Sequence, residues 1–308
     1  MFKYHEGTIK YLHPTRRNSY MTIFASQSHG HHFGKRYVIG IVFLILYAFT
    51  ALADDTKLRE LSRADEALLW AAVGRVNVGE GSFCTGTLIE VNIVLTAAHC
   101  FFDGRTGERI ADSEVRFVAG WNDGSAQSIR GAKKVVLDAD YVYSTFVTDE
   151  MISNDVALIE LDQPILASVI APINIGSHPN VDAGVKIVSY GSGRQEVPSI
   201  QDACQVFKFA RSVLTLSCDI TFGSSGSPVI QIVNDQPQVV SVISAMRVTP
   251  GQKLAYSMAL DQPLRALKQE VSVGLSERKT TTSDDAPLSE QLGRSGKKRE
   301  SGLPQIGQ

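Results

Sequence analysis

The sequence has little of most things that mark a specialised chain. Only four of its 308 residues are cysteine, and no two of them form a C-x-x-C pair, so the usual spacing of a zinc site is missing. Neither sign of charge dominates: 30 Lys and Arg stand against 32 Asp and Glu, a formal net charge of −2. Such a balance carries no electrostatic footprint for nucleic acid or another polyanion. With 44% hydrophobic residues the chain is also too apolar to be disordered throughout. No internal repeat is visible. The length suits one large domain or two small ones, with a sizeable buried core.

The one long apolar run is short for a membrane span. Residues 37–53 (YVIGIVFLILYAFTALA) carry no charge and fall below the roughly 20 residues that cross a bilayer. Lys35-Arg36 precede the run, Asp54-Asp55 follow it, and Ala51-Leu52-Ala53 ends it in a small-x-small pattern. These are the parts of a secretory signal peptide cleaved after Ala53; a retained signal anchor is the alternative. The preceding stretch is long for a signal's basic region, and Met21 offers a later start. Residues 1–53 are therefore an N-terminal extension and signal, and the chain is expected to be secreted or periplasmic, or membrane-anchored through 37–53.

Export makes the cysteines readable. Cys84, Cys100, Cys204 and Cys218 all lie beyond the signal, in the part that meets an oxidising compartment. Four cysteines allow three pairings. Residues 54–71, with mixed charge and helical leucine spacing, read as a pro-region or linker. From 72 to 273 the pattern is short runs rich in Val, Ile and Thr, bounded by Gly, Asn and Asp. Thr87–Thr96, Val115–Ala119, Lys133–Leu137, Val156–Leu161, Val185–Tyr190, Val206–Phe209, Val213–Ser217, Val229–Val233 and Val239–Ala245 are examples of the expected strands. Many short strands with little helix between them indicate an all-β sandwich or barrel, closed by a short helix near Gln262–Glu270. Residues 274–308 are Ser-, Thr-, Lys- and Arg-rich with few aliphatics and read as a disordered tail; Lys297-Lys298-Arg299 within it reads as a solvated charge run.

Three residues could do chemistry together. Ser225 stands in Gly223-Ser224-Ser225-Gly226-Ser227-Pro228, directly before an apolar strand. A serine hydroxyl is a weak nucleophile without a base and a stabilised oxyanion, and small neighbours permit the sharp turn that aims backbone N–H groups at one spot. Alone, such a cluster is just a turn. A Gly-x-Ser-x-Gly elbow is excluded, because Ser227 replaces the last glycine and the strand follows the serine instead of preceding it. Of seven histidines, five precede the apolar run, leaving His178 in a polar loop and His99 at the end of Val94-Leu95-Thr96-Ala97-Ala98. Asp155 opens the apolar run Asp155-Val156-Ala157-Leu158-Ile159, where a buried carboxylate needs a partner such as an imidazole N–H. A structural histidine and an exposed strand-capping acid are the plainer readings of each alone.

The stretch Phe83-Cys84-Thr85-Gly86-Thr87-Leu88-Ile89 through Leu95-Thr96-Ala97-Ala98-His99-Cys100 resembles the histidine region of the trypsin/chymotrypsin family. Asp155-Val156-Ala157-Leu158 resembles its aspartate region and Gly223–Pro228 its serine region, in the family's order and with spacings of 56 and 70 residues. The resemblance covers roughly 72–270. It implies two six-stranded antiparallel β-barrels with the active site between them, and a His99, Asp155, Ser225 triad. It implies an oxyanion hole at the Gly223 and Ser225 N–H groups, and Cys84–Cys100 and Cys204–Cys218 disulfides. It also implies an endopeptidase acting on protein or peptide substrates as a monomer, with no cofactor and no metal. An idle homologue acting as an envelope binding module is the alternative.

Two positions depart from the common pattern. Many members carry an acid before the nucleophile, where it pairs with a freshly cut N-terminus; here Ser224 stands there, as in the glutamyl-endopeptidase-like bacterial branch, which the chain resembles more closely overall. Asp219 lies where trypsin-like enzymes place the acid selecting Arg or Lys, and Ser244 on the strand Val240–Ala245 is the other pocket candidate. That strand lacks the histidine used for acidic specificity, so basic side chains are the expected preference.

Overall fold

The β-branched runs do form strands. The computed structural model describes residues 57–261 and 263–271; the apolar run 37–53 and the tail 274–308 lie outside them. The first elements are β1 (Arg59–Glu60) and helix α1 (Ala64–Leu69). Arg59 pairs with Ile200 and Glu60 with Ser199, and Leu61 behind them is fully buried. The segment expected as a pro-region or linker thus joins the fold from Arg59 onward.

Six strands follow: β2 (Val73–Val78), β3 (Ser82–Glu90), β4 (Ile93–Thr96), β5 (Val115–Ala119), β6 (Ser128–Leu137) and β7 (Ala157–Leu161). They close into a barrel in the order β2-β3-β4-β7-β6-β5. Thr87–Thr96, expected as one strand, is a hairpin, with Leu88 opposite Val94 and Glu90 opposite Ile93. An apolar run cannot show where a chain reverses when both arms feed one core. Val76, Leu88, Leu95, Phe117 and Leu158 are fully buried, each contributing about 1.5–3 kcal/mol. So narrow a barrel is filled by its own side chains.

Helix α2 (Asp149–Ser153), capped by Thr148 Oγ1 on the Met151 N–H at 3.1 Å, leads into β7. After β8 (Asn174–Ile175) come β9 (Gly184–Gly191), β10 (Arg194–Ala210), β11 (Val213–Leu216), β12 (Pro228–Val233), β13 (Gln236–Thr249) and β14 (Gln252–Met258). They run in the order β10-β11-β14-β13-β12-β9, and β9 pairs with β10 to complete the ring, with β1 and β8 added on β10 and β13. Asn234 and Asp235, with φ of 51° and 60°, make the tight turn between β12 and β13; Asn and Asp tolerate that left-handed conformation. Residues 263–271 form the closing helix α3. The architecture is the all-β, two-barrel one expected. Both disulfides form as the resemblance implied, Cys84–Cys100 and Cys204–Cys218.

The barrels are tied together at Thr85. Its N–H donates to Ser225 O at 2.8 Å and its Oγ1 to Gly223 O at 2.9 Å, and the Tyr190 N–H donates to the same Oγ1 at 3.1 Å.

Candidate functional site

Strand pairing explains why His99 and Asp155 meet. β4 and β7 are antiparallel, with Thr96 opposite Ala157. The chain leaving β4 and the chain entering β7 therefore share one end of the barrel. His99 lies in a 3-10 turn, Ala98–Phe101, just past β4, and Asp155 lies two residues before β7 begins.

Asp155 is fully buried and its carboxylate is fully engaged. Oδ1 accepts from the His99 backbone N–H at 2.7 Å, and Oδ2 lies 2.6 Å from His99 Nδ1. Ser244 Oγ donates to the same Oδ2 at 2.5 Å. Three donors around a carboxylate fix its orientation, and the pairing sets the imidazole so that Nδ1 carries the hydrogen and Nε2 is left as the acceptor. The His99 side chain keeps 24% of its surface exposed. Burial pushes its pKa down, but the Asp155 charge and hydrogen bond outweigh this and raise it above 6.5. A ring nitrogen of His99 lies within 4.8 Å of both Cys84 Sγ and Cys100 Sγ. Those sulfurs are bridged to each other, so the cluster is a brace for the histidine and not a metal centre.

The Ser225 turn comes from the second barrel and docks on the first. Gly223 (φ +91°) and Gly226 (φ +79°) are in the left-handed region. A Cβ on Gly226 would strike Thr85 O and Thr96 Oγ1, and one on Gly223 would strike the Phe83 ring. Only glycine permits both this backbone and this approach. The turn's N–H groups divide into two sets. Ser224 donates to Thr221 O, Gly226 to Ile243 O and Ser227 to Ser224 O, whereas among the described residues the Gly223 and Ser225 N–H groups have no acceptor. Ser225 Oγ also has no hydrogen-bond partner among the described residues, so the contact to His99 Nε2 is not made in this conformation. Reacting groups in unliganded sites are commonly held this loosely.

The remaining expected residues fall out as follows. Ser244, expected to line a pocket, is the third donor to Asp155. Asp219, expected at a pocket base, is half-exposed and ion-paired with Lys253 Nζ at 2.6 Å. His178 stacks on Phe209, with ring centroids 4.4 Å apart. Sequence reading did not find Lys253 or the Thr85 tie. It also missed Arg194, whose guanidinium hydrogen-bonds Ser189 and Ser224. A lone basic residue in Gly193-Arg194-Gln195 carries no local signal of that contact.

A family model described as Trypsin matches residues 63–259. The chain belongs to the trypsin family of serine proteases. Among curated relatives, human mannan-binding lectin serine protease 1 is 31% identical over 127 residues. That match spans 37% of this chain and 17% of the relative. A solved glutamyl endopeptidase is 19% identical with a TM-score of 0.57, covering 72% of this chain and 97% of that one. The protease Anisep of Arthrobacter nicotinovorans is 16% identical with a TM-score of 0.54, over 68% and 97% of the two chains. An inactivated protease paralogue of the scabies mite has the same fold at 19% identity and a TM-score of 0.55, over 70% and 96%. This trypsin-family fold therefore occurs both in proteases and in a paralogue described as inactivated, and activity has to be argued from the site.

Proposed function

We propose that this trypsin-family protein is a secreted serine endopeptidase that works through His99, Asp155 and Ser225. The observation that carries the reading is the buried Asp155 carboxylate, held by three donors with His99 Nδ1 as one of them. An imidazole so oriented offers Nε2 to a serine hydroxyl, and the two unengaged N–H groups of Gly223 and Ser225 suit an oxyanion.

The chemistry follows from these roles. Nε2 takes the Ser225 hydroxyl proton as Oγ bonds to the substrate's carbonyl carbon, and the carbonyl oxygen becomes an oxyanion facing the Gly223 and Ser225 N–H groups. Asp155 stabilises the imidazolium without taking its proton. The imidazolium then protonates the leaving amine as the C–N bond breaks, giving an acyl-enzyme. Water, deprotonated by the same Nε2, releases the acid product and restores Ser225.

Secretion rests on the signal-like 37–53 segment together with two disulfides, which persist in oxidising compartments. Protein or peptide substrates are consistent with the trypsin-family fold. The test is labelling of the processed protein by a fluorophosphonate probe. Strong labelling that vanishes in Ser225→Ala supports the reading; no labelling of the wild-type protein, or equal labelling of the variant, rejects it in favour of an idle binding module.

A further inference from the structure

Among the described residues, the half-buried guanidinium of Arg194 in the second barrel makes no ion pair. The Arg194 guanidinium donates through Nη1 to Ser189 O at 2.5 Å and through Nη2 to Ser189 Oγ and Ser224 Oγ, both at 2.9 Å. Its Nε is buried without a partner, and among the described residues no carboxylate lies within ion-pair distance of it. The guanidinium lies against Gly191 at the end of β9, where an added Cβ would come 2.8 Å from both Cζ and Nη2. Burial pushes its pKa down to about 10, against the raising charges of Asp219 and Glu60, so it is charged at neutral pH. Arg194 is half-buried, and desolvating a guanidinium that lacks an ion-pair partner carries a cost.

Ser224 points to a use for this charge. It is fully buried and its hydroxyl is saturated: it donates to Tyr190 O at 3.2 Å and accepts from Arg194 and from the Thr221 N–H at 3.2 Å. A hydroxyl has one donor and two acceptor sites, and all three are engaged. Ser224 also sits between Gly223 and Ser225, whose N–H groups have no acceptor. Arg194 is therefore one hydrogen bond from the residue that separates those two donors. Ser189 and Ser224, which it bridges, belong to β9 and to the Ser225 turn.

We propose that Arg194 is the positioning residue of the oxyanion site: acting through Ser224, it holds the Gly223–Ser225 turn with both N–H groups free and adds positive potential where the substrate's carbonyl oxygen becomes negative. The proposal rests on the endopeptidase reading above. A cation already held by hydrogen bonds to Ser189 and Ser224 is a preorganised charge, which stabilises developing negative charge without rearranging. It does not touch the substrate.

The experiment compares wild type, Arg194→Met, Arg194→Lys and Ser224→Ala by the kinetics of a fluorophosphonate probe, whose phosphonyl oxygen occupies the oxyanion site. The maximal inactivation rate is separated from the half-saturating probe concentration, and Tm is measured in parallel. Arg194→Met is expected to slow inactivation about 100-fold, the scale of losing or misplacing an oxyanion donor, with half-saturation changed less than about threefold. Arg194→Lys is expected to recover about tenfold. Guanidinium at about 20 mM is expected to accelerate Arg194→Met at least fivefold, with sodium at equal ionic strength doing nothing. A folded Arg194→Met that reacts within about threefold of wild type overturns the proposal, as does a loss that appears in Tm alone. If Arg194→Met does not fold, Ser224→Ala carries the test: a slowing of about tenfold supports the link, and unchanged kinetics overturn it. A wild-type protein that the probe never labels instead rejects the endopeptidase reading.

Discussion

Replacing Asp155 by Asn tests the site most severely, because it removes a charge while leaving nearly every atom in place. The Asp155 carboxylate accepts from the His99 N–H on Oδ1 and from His99 Nδ1 and Ser244 Oγ on Oδ2. An amide has one acceptor oxygen and one nitrogen that only donates. If the nitrogen took the Oδ1 position, it would face a backbone N–H, which can never accept. If it takes the Oδ2 position, its two neighbours can both adapt: the Ser244 hydroxyl rotates to accept, and the imidazole moves its hydrogen to Nε2. The second arrangement wins, since an unpaired buried donor costs about 1–3 kcal/mol.

That outcome leaves His99 in the tautomer that cannot take a proton from Ser225. The expected loss in kcat at neutral pH is about 10⁴-fold, or roughly 5.4 kcal/mol of transition-state stabilisation at 1.36 kcal/mol per decade. Stability should change much less, because the amide keeps its shape and its hydrogen bonds. The assay is kcat and KM on a peptide substrate chosen by library profiling, with Tm followed in parallel and Asp155→Ala as the cavity-forming control. A folded Asp155→Asn protein within tenfold of wild-type kcat would show that Asp155 does not set the His99 tautomer, and the triad reading would fall with it.

Three further outcomes follow from the same geometry. The His99 pKa is raised above 6.5, and the base must be neutral to act, so the acid limb of kcat/KM should lie above pH 6.5. The same shift stabilises the fold fully below pH 6.5 and ceases to do so as pH rises through the raised value; Ser225→Ala, which cannot digest itself, should lose Tm over that window. A limb below pH 6.5 would contradict both statements. Lys253→Ala frees the Asp219 carboxylate from an exposed ion pair worth at most about 1 kcal/mol, so cleavage after Arg or Lys should rise by no more than about fivefold. A larger rise would mean that the pair is the main determinant of specificity. Replacing Cys84 and Cys100 by Ser opens a loop of sequence separation 16. It should cost about 3 kcal/mol, or about 6–12 °C in Tm for a domain of this size; a change under 2 °C would leave the bridge with no stabilising role.

What the sequence made legible, and what it hid, divides by how far apart the interacting residues lie. Most strands were readable because β-branched runs and their Gly and Asn punctuation are contiguous, though β2, β14 and the first part of β10 were not named from them. The hairpin inside Thr87–Thr96 was not, because its two arms share one apolar composition. Ser225 announces itself through the glycines that its own turn needs, and His99 through the small residues beside it. Each carries its signal in the few residues around it. By contrast, Ser244 reaches Asp155 across 89 positions, Thr85 reaches Gly223 across 138, Lys253 reaches Asp219 across 34 and Arg194 reaches Ser224 across 30. Ser244, Thr85, Lys253 and Arg194 need no special local backbone, so none of them leaves a local mark. Ser244 shows this: its neighbourhood suggested a pocket wall and gave no sign that its hydroxyl donates to a carboxylate in the other barrel. Asp219 shows the same dependence, because an acid expected to favour basic substrates is met by a lysine from β14. The candidate reacting groups of such a site can therefore be read from local motifs. The residues that orient those groups and tune their preference depend on the pairing of strands, and they become arguable only once the register is known.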